Sequence, residues 1–284
     1  MIYFLFLAIT VSTVTGFMPV TPVTRQGRLS SRSLRMGLKE SMSSMFDKLN
    51  AAYDLKLTDY TEVIGADRLD DGKVSAHCEW WDERVGGKFT GVTKAHVVQG
   101  DEELAKLDVW VGPSSHVPHM LLSLMKAADG TFGIEADFVA RGQFAIGSDS
   151  TYLEDYYENA ATLAWYADAV SKSQNNHLAP SASSSGRLLH GSPIYLKVGG
   201  MSEGDALSIG EQHLDRWMQY IADAKPSEAR QRGGLNVRDD KLRQFSYRAM
   251  LVDAKAICDS EDSARALAAG LTGPLAEAYV GGGS

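Results

Sequence analysis

The sequence predicts an α+β domain in which helices cover a central antiparallel β-sheet. From 73 to 140 the chain consists of short segments rich in Val, Trp, Phe and Thr, which glycine-containing turn signals separate. Strands that follow one another through short links pair antiparallel. Before this stretch and again after Gly147, apolar residues recur at helical spacing. The order of helix, strands and helices is therefore that of a layered domain.

The first half of the domain is predicted to contain one helix and five strands. Apolar side chains recur every three or four residues over 38–54, which predicts an amphipathic helix. The dipeptide Asp129-Gly130 is a hairpin turn signal between the last two strands. The five strands are predicted at 74–82, 88–98, 105–112, 118–127 and 131–140.

The second half is predicted to be mainly helical. Asp149 or Ser150 can cap a helix that extends to about 171. The polar, serine-rich segment 173–186 is predicted to be a loop, and its length is typical of a functional lid. The remaining elements are predicted to be a strand at 193–198 and helices near 203–224, 235–257 and 262–280.

The first 36 residues have the composition of a targeting leader. The apolar run over 2–9 is too short to span a membrane and is typical of a signal-peptide core, so we predict a signal peptide at 1–16. Residues 17–36 hold four arginines and no acid, which is typical of a plastid transit peptide. The two together resemble the bipartite leader of algae with secondary plastids and predict a location in the plastid (chloroplast) stroma. A secreted protein with a basic pro-segment is the alternative interpretation.

The domain predicted at 37–284 is acidic, with 24 basic and 36 acidic residues and a net charge of −12. This charge argues against general nucleic-acid binding, which depends on neutralising phosphates. The sequence has no phosphate-binding glycine loop, zinc-protease helix or nucleophile elbow, and its two cysteines are too few for a disulfide framework. His116 and His119 lie three residues apart, but no further ligand lies close in sequence, so no metal centre is predicted.

Four segments in a fixed order carry a resemblance to a known family. They are 116–125, the strand ending Asp137-Phe138, the element Tyr152-Leu153-Glu154-Asp155-Tyr156-Tyr157, and the segment beginning Gly191-Ser192-Pro193. This order resembles the red chlorophyll catabolite reductases, which are relatives of the ferredoxin-dependent bilin reductases. The likeness covers roughly 105–257, and its most specific parts are the Tyr-Leu-x-x-Tyr-Tyr element and the Ser-Pro pair.

The resemblance implies an α/β/α sandwich with an open tetrapyrrole pocket between the sheet and the C-terminal helices. It implies that a methine double bond of red chlorophyll catabolite is reduced by electrons from reduced ferredoxin, without a bound metal or flavin. The expected partners are a linear tetrapyrrole and ferredoxin, with no membrane span and with a homodimer left open. Two alternatives also stay open: a protein that binds a bilin without reducing it, and a reductase of another bilin.

The family carries two carboxyl groups in its pocket, and one of them has a clear counterpart in this chain. An Asp that lies eight residues after a Phe in the late helix corresponds to Asp253, after Phe245. The family's Glu falls on Ser123, whose hydroxyl can bind substrate but cannot supply a proton as a carboxylic acid does. The predicted catalytic residues are therefore Asp253, His119 and Asp137, with Glu135 as an alternative to Asp137.

Substrate binding and partner docking are predicted at further polar and basic residues. The guanidinium fork of Arg187 is suited to a propionate of the pigment, although a surface arginine at a loop end is the alternative. Ser192 in the Ser-Pro pair and Ser123 complete the predicted substrate-binding set. Ferredoxin is acidic, so docking is expected where bases cluster, over 230–248, unless this is only a solvated helix face. The predicted docking residues are Arg238, Lys241, Arg243 and Arg248.

Overall fold

A computed structural model describes residues 37–59, 67–83, 87–141, 150–174 and 183–273. The signal peptide predicted at 1–16 and the transit peptide predicted at 17–36 lie outside the described residues, as does most of the predicted loop 173–186. The last residues of the helix predicted at 262–280 lie outside them as well.

The described residues form an eight-stranded sheet in which every neighbouring pair is antiparallel. The strand order is β1-β3-β4-β5-β6-β7-β8, and the short β2 also pairs with β3. The five predicted strands are confirmed as β3 to β7, and β1 and β2 are additional. The bounds are β1 Leu55–Thr58, β2 Arg68–Asp70, β3 Ser75–Glu83, β4 Phe89–Gln99, β5 Glu102–Val111, β6 His119–Lys126, β7 Phe132–Val139 and β8 Leu196–Met201.

Seven helices occur within the described ranges, and the first and fifth match their predicted positions. In this part of the chain no helix combines the length and hydropathy needed to cross a membrane. Gly130 adopts a positive φ of 81° in the turn between β6 and β7, which confirms the predicted hairpin. The bounds are α1 Leu38–Tyr53, α2 Ser150–Tyr156, α3 Ala160–Lys172, α4 Ser184–Leu189, α5 Glu203–Asp223, α6 Ala229–Ile257 and α7 Glu261–Thr272.

The single helix predicted from Asp149 or Ser150 to about 171 is wrong, because two helices, α2 and α3, occupy this stretch. The side chain of Asn159 accepts a hydrogen bond from the backbone N–H of Thr162 and caps a new helix at that point. The predicted C-terminal boundary of the loop 173–186 is also wrong, because α4 begins at Ser184. The side chain of Ser183 caps this helix by accepting a hydrogen bond from the backbone N–H of Gly186.

Two further predicted boundaries need correction. The strand predicted at 193–198 is β8, which runs Leu196–Met201 because its pairing with β7 begins at Leu196 opposite Ala136. The helix predicted near 235–257 begins at Ala229, because Glu228 and Gln231 form a reciprocal capping box ahead of two glycines that gave no helical signal.

Helices cover both faces of the sheet, so the expected α/β/α sandwich is confirmed. On one face, α1, α3 and α5 pack against alternate strand residues such as Leu107, Leu122 and Phe138. On the opposite face, α6 and α7 pack against Cys78, Trp80 and neighbouring side chains, and α4 joins them near Trp110. We call the two surfaces the α1 face and the α6 face. Because successive strand residues point to opposite sides, each strand contributes to both.

Candidate active site

A cleft lies on the α6 face, between the sheet and helices α4, α6 and α7. It contains about 740 Å³ of empty volume, part of which is open to solvent. The walls are mostly apolar and come from Leu104, Leu121, Met125, Leu189, Met250, Ala254, Ile257, Leu267 and Leu271.

The floor of the cleft carries one row of polar side chains across four adjacent strands. Lys106 on β5 lies opposite Ser123 on β6, Ser123 lies opposite Glu135 on β7, and Glu135 lies opposite Lys197 on β8. Directly opposite residues of paired strands project to the same side of the sheet. All four side chains therefore line the same cleft, where two cations lie at the ends of the row and an anion between them.

Glu135 is held as a carboxylate by its neighbours. Burial raises its pKa, but the ammonium group of Lys197 at 3.3 Å, the nearby His190 ring and the hydroxyl of Tyr195 together lower the pKa to about 2. The Tyr195 hydroxyl donates to Glu135 Oε1 at 2.6 Å. Glu135 is thus suited to accept hydrogen bonds from N–H groups rather than to donate a proton.

Asp253 projects into the cleft from α6, facing the polar row. Burial, reinforced by the negative charge of Glu135, raises its pKa to about 6, although Lys197 and Lys106 act in the opposite direction. Within the described residues its carboxyl group forms no hydrogen bond or salt bridge. With a pKa of about 6 instead of the ordinary 3.8, this carboxyl group keeps its proton to a higher pH than an ordinary aspartate does, as a general acid requires. The arrangement can therefore deliver a proton to a ligand in the cleft.

Asp137 does not line the cleft but lies directly beneath its lining, fully buried. Its Oδ2 is 3.0 Å from Nδ1 of His190, and its Oδ1 accepts a hydrogen bond from the Ser192 hydroxyl. The His190 ring does line the cleft and stacks on Tyr195 at a centroid distance of 4.4 Å. The predicted residues Asp137 and Ser192 therefore do not line the cleft. Asp137 contacts the lining residue His190, and Ser192 contacts Asp137.

His119, which was predicted to be catalytic, does not line the cleft. It belongs to β6 and is fully buried, where Nδ1 accepts the backbone N–H of Val111 at 2.9 Å. Its Nε2 is 3.0 Å from Asp239 on α6, whose carboxylate also pairs with Arg141 at 2.6 Å. Burial lowers the pKa of His119 to about 4, despite the opposing charge of Asp239. The cluster joins α6 to the sheet outside the cleft.

The predicted docking residues divide into two that face solvent and two that face the protein. Lys241 and Arg248 are exposed on α6. The guanidinium of Arg238 donates to the carbonyl of Ala140 at 3.3 Å, and that of Arg243 lies 5.8 Å from the centre of the Trp110 ring. Of these four described residues, Lys241 and Arg248 are therefore the two that project their charge into solvent. Arg187 is exposed on α4, outside the cleft lining.

Sequence reasoning missed His190 and the two lysines of the floor. Lys106 and Lys197 are polar residues within otherwise mainly apolar strands. Their positions in the two-residue repeat of the strands could have indicated that they line a polar site. His190 lies in an irregular segment after α4, where no periodicity exists to place it. Across the described ranges, no group of three or more His, Cys, Asp or Glu residues could hold a metal ion, and Cys78 and Cys258 are free thiols.

The fold and the cleft define an α/β/α sandwich that can bind a small molecule between its sheet and its C-terminal helices. No protein-family profile and no curated protein matches the sequence. Among solved structures, the chain is similar to phytochromobilin synthase from tomato, which was solved as the selenomethionine protein in complex with biliverdin. The TM-score is 0.61, the sequence identity is 13%, and the alignment covers 83% of each chain. The likeness establishes that the two proteins share a fold.

Proposed function

We propose that the protein reduces a linear tetrapyrrole in the cleft on the α6 face, with Asp253 as a proton donor. The observation that carries the proposal is the position of the Asp253 carboxyl group, which has a raised pKa and faces a charged floor inside an apolar cleft. The fold is shared with a protein solved in complex with biliverdin, a linear tetrapyrrole. The sequence resemblance to red chlorophyll catabolite reductases, from which the role of Asp253 was expected, supports the same class of reaction.

Reduction of one conjugated double bond consumes two electrons and two protons. Ferredoxin delivers single electrons, so the pigment passes through a radical that the cleft must hold while protons arrive. The apolar walls bury the conjugated rings, and the Glu135 carboxylate accepts hydrogen bonds from pyrrole N–H groups. The ammonium groups of Lys106 and Lys197 are suited to carboxylate substituents of the pigment. Ser123 can hydrogen-bond a lactam oxygen.

The specific substrate that we propose is red chlorophyll catabolite, which is reduced by electrons from reduced ferredoxin during chlorophyll breakdown in a plastid. This assignment rests on the sequence resemblance over 105–257 and on the composition of the leader. Ferredoxin is proposed to dock on the outer side of α6, through Lys241 and Arg248. The inner side of this helix carries Asp253, so a docked donor would lie about one helix diameter, 10–12 Å, from the pigment.

An anaerobic assay tests this function directly. The protein is incubated with reduced ferredoxin, ferredoxin reductase and NADPH, and separately with red chlorophyll catabolite or biliverdin. We expect bleaching of the pigment spectrum and a product two hydrogens heavier. A bilin reductase that works in the same mixture is the positive control, and the absence of product from both pigments would contradict the proposal.

A second candidate is a protein that binds a bilin without reducing it. Ser123 stands where the family has a Glu, and the neighbouring Glu135 is held ionised, so the described residues give the cleft one carboxylic acid instead of two. This alternative predicts tight pigment binding with a spectrum that does not change when reduced ferredoxin is added. The same assay therefore separates the two functions.

A further inference from the structure

We propose that His190 is the second proton donor of the cleft and that Asp137 is the residue that positions it. The inference deepens the proposed function and rests on it, because a second proton is needed only if a double bond is reduced. It assigns a role to a histidine that neither the sequence patterns nor the family resemblance indicated.

Among the described residues, the titratable side chains that line the cleft leave one candidate for the second proton. They are Lys106, Glu135, His190, Lys197 and Asp253. Asp253 supplies the first proton, and Glu135 is ionised because its neighbours lower its pKa to about 2. Lys106 and Lys197 project from the sheet and belong to the charged row on the floor, whereas an imidazole can give a proton from one ring nitrogen while the other stays hydrogen-bonded. His190 is thus the remaining lining group suited to donate a proton to the pigment.

The contacts of the ring fix which nitrogen faces the ligand. Asp137 is fully buried, and its carboxylate lies 3.0 Å from Nδ1 of His190. A carboxylate only accepts hydrogen bonds, so Nδ1 carries a hydrogen and donates it to Asp137. The other nitrogen, Nε2, lies 3.7 Å from Oε1 of Glu135, a residue that lines the cleft. The protonated ring therefore presents its Nε2–H to the space where the pigment is proposed to bind.

Asp137 has the features of a positioning residue. The Ser192 hydroxyl donates to its second oxygen, and Tyr195 stacks on the imidazole, so both partners of the pair are held in place. A buried carboxylate behind a histidine fixes the tautomer and stabilises the imidazolium, as is known from other enzymes. Several charged groups surround the ring: Lys106, Asp108, Glu135, Asp137 and Lys197 from the sheet, and Asp253 from α6.

The proposed step balances in protons and electrons. Two reduced ferredoxin molecules each give one electron to the pigment and become oxidised. Asp253 gives one proton from its carboxyl group, and His190 gives one from Nε2. One conjugated double bond is lost and two new bonds to hydrogen form. The carboxylate and the neutral imidazole then regain their protons from water.

The test compares His190→Gln with a matched control, His116→Gln. The amide of Gln can hydrogen-bond like the ring but cannot carry an exchangeable proton at neutral pH. His116 lies outside the cleft and contacts Gln231. We expect His190→Gln to lower kcat by about 100-fold or more, to change pigment binding by less than about three-fold, and to remove one limb of the pH–kcat profile. The control should keep wild-type kinetics.

Asp137→Asn tests the positioning role. Loss of the negative charge should move the His190 limb of the pH–kcat profile to lower pH, whereas a purely structural role would lower activity without moving that limb. A nitrogen-15 NMR spectrum of the histidine rings is measured on the wild-type protein, so it does not depend on whether a variant folds. We expect the Nδ1–H tautomer for the neutral His190 ring, and an Nε2–H tautomer would overturn the assignment.

The outcomes separate this inference from the proposed function. An active wild type together with an equally active His190→Gln variant would overturn the role of His190 and leave bilin reduction intact. A wild type that reduces neither red chlorophyll catabolite nor biliverdin would instead overturn the proposed function, and the proton-donor role of His190 would fall with it. An inactive His190→Gln variant with normal pigment affinity, beside an active control, supports both.

Discussion

The two faces of the sheet use neighbouring residues of the same strands, yet they differ in polarity and in how they are covered. On the α1 face, Leu107, Leu122 and Ala136 lie in a continuous apolar core beneath α1, α3 and α5. One residue away on each strand, Lys106, Ser123 and Glu135 line the cleft on the α6 face. On these strands, alternate residues therefore have different roles: those on one side pack in the core, and those on the other side line the cleft.

This separation predicts that a substitution on β5 to β7 affects mainly activity where the side chain lines the cleft and mainly stability where it packs in the core of the α1 face. Substitutions of cleft residues on the α6 face should change turnover with little effect on folding. Substitutions on the α1 face should change the free energy of unfolding.

Asp253→Asn should have the largest effect on activity. Removal of a general acid costs about 10²–10⁴-fold in rate, because the amide cannot supply the proton. Stopped-flow absorbance with reduced ferredoxin and red chlorophyll catabolite measures kcat, and a pigment titration measures affinity, which should change little. Asp240→Asn, at an exposed position of the same helix, is the matched control. Full activity in the Asp253 variant would remove this residue from the mechanism.

Leu122→Ala should have the largest effect on stability. Leu122 is fully buried on the α1 face, and Leu→Ala substitutions in cores cost about 2–5 kcal/mol. The adjacent substitution Ser123→Ala, on the α6 face, should cost less than about 1 kcal/mol. Urea unfolding followed by tryptophan fluorescence measures both. Equal losses at the two positions would contradict the division of the faces.

Charge reversal on the outer side of α6 should weaken docking of the electron donor. For Lys241→Glu and Arg248→Glu, we expect KM for ferredoxin to rise about 10-fold in low salt, because exposed charges steer association. Added salt should shrink the difference from the wild type. Lys39→Glu reverses an exposed charge on α1, on the opposite face of the sheet, and should leave KM unchanged. An equal effect of all three variants would indicate a general charge effect instead of a docking site.

The smallest predicted effect is a pH-dependent change in stability at Asp253. Burial raises the pKa of this carboxyl group to about 6 in the folded protein, above its ordinary 3.8. The stability linked to this shift is present below the ordinary pKa and is lost as pH rises through 6. Asp253→Asn should therefore raise the free energy of unfolding at pH 8 by on the order of 1 kcal/mol and change it little at pH 4.

Urea unfolding at the two pH values measures this difference, again with Asp240→Asn as the control. The catalytic activity of the wild type should fall over the same interval as the proton on Asp253 is lost. An Asp253→Asn variant that is equally destabilised at both pH values would show that the carboxyl group serves packing and not proton storage.

The predictable part of the fold is the part that local patterns specify. The strands β3 to β7 and the helices α1 and α5 follow from apolar periodicity, and Asp129-Gly130 follows from turn geometry. The break at Asn159 and the early start of α6 at Ala229 were missed. Both depend on side-chain caps, in which a single residue outweighs the surrounding periodicity.

The candidate site was predictable only in part. The resemblance indicated Asp253 and Ser123, and the structure brings both into one cleft. It places Asp137 one layer deeper, behind His190, and His119 in a separate buried cluster with Asp239 and Arg141. These differences arise because strand alternation predicts the side of the sheet on which a residue lies. It does not predict which residue of another element will contact a buried polar side chain.

The sequence by itself determined the periodicities, the acidic charge of the domain and the side of the sheet on which each strand residue lies. These properties follow from the repeat lengths of helix and strand and need no knowledge of distant contacts. Only the tertiary structure decided that Lys106, Ser123, Glu135 and Lys197 form one row, because strand register sets which residues lie opposite each other. It also decided that α6 brings Asp253 over that row. The raised pKa of Asp253 is a consequence of this packing, since both the burial and the neighbouring charges come from residues far away in the chain.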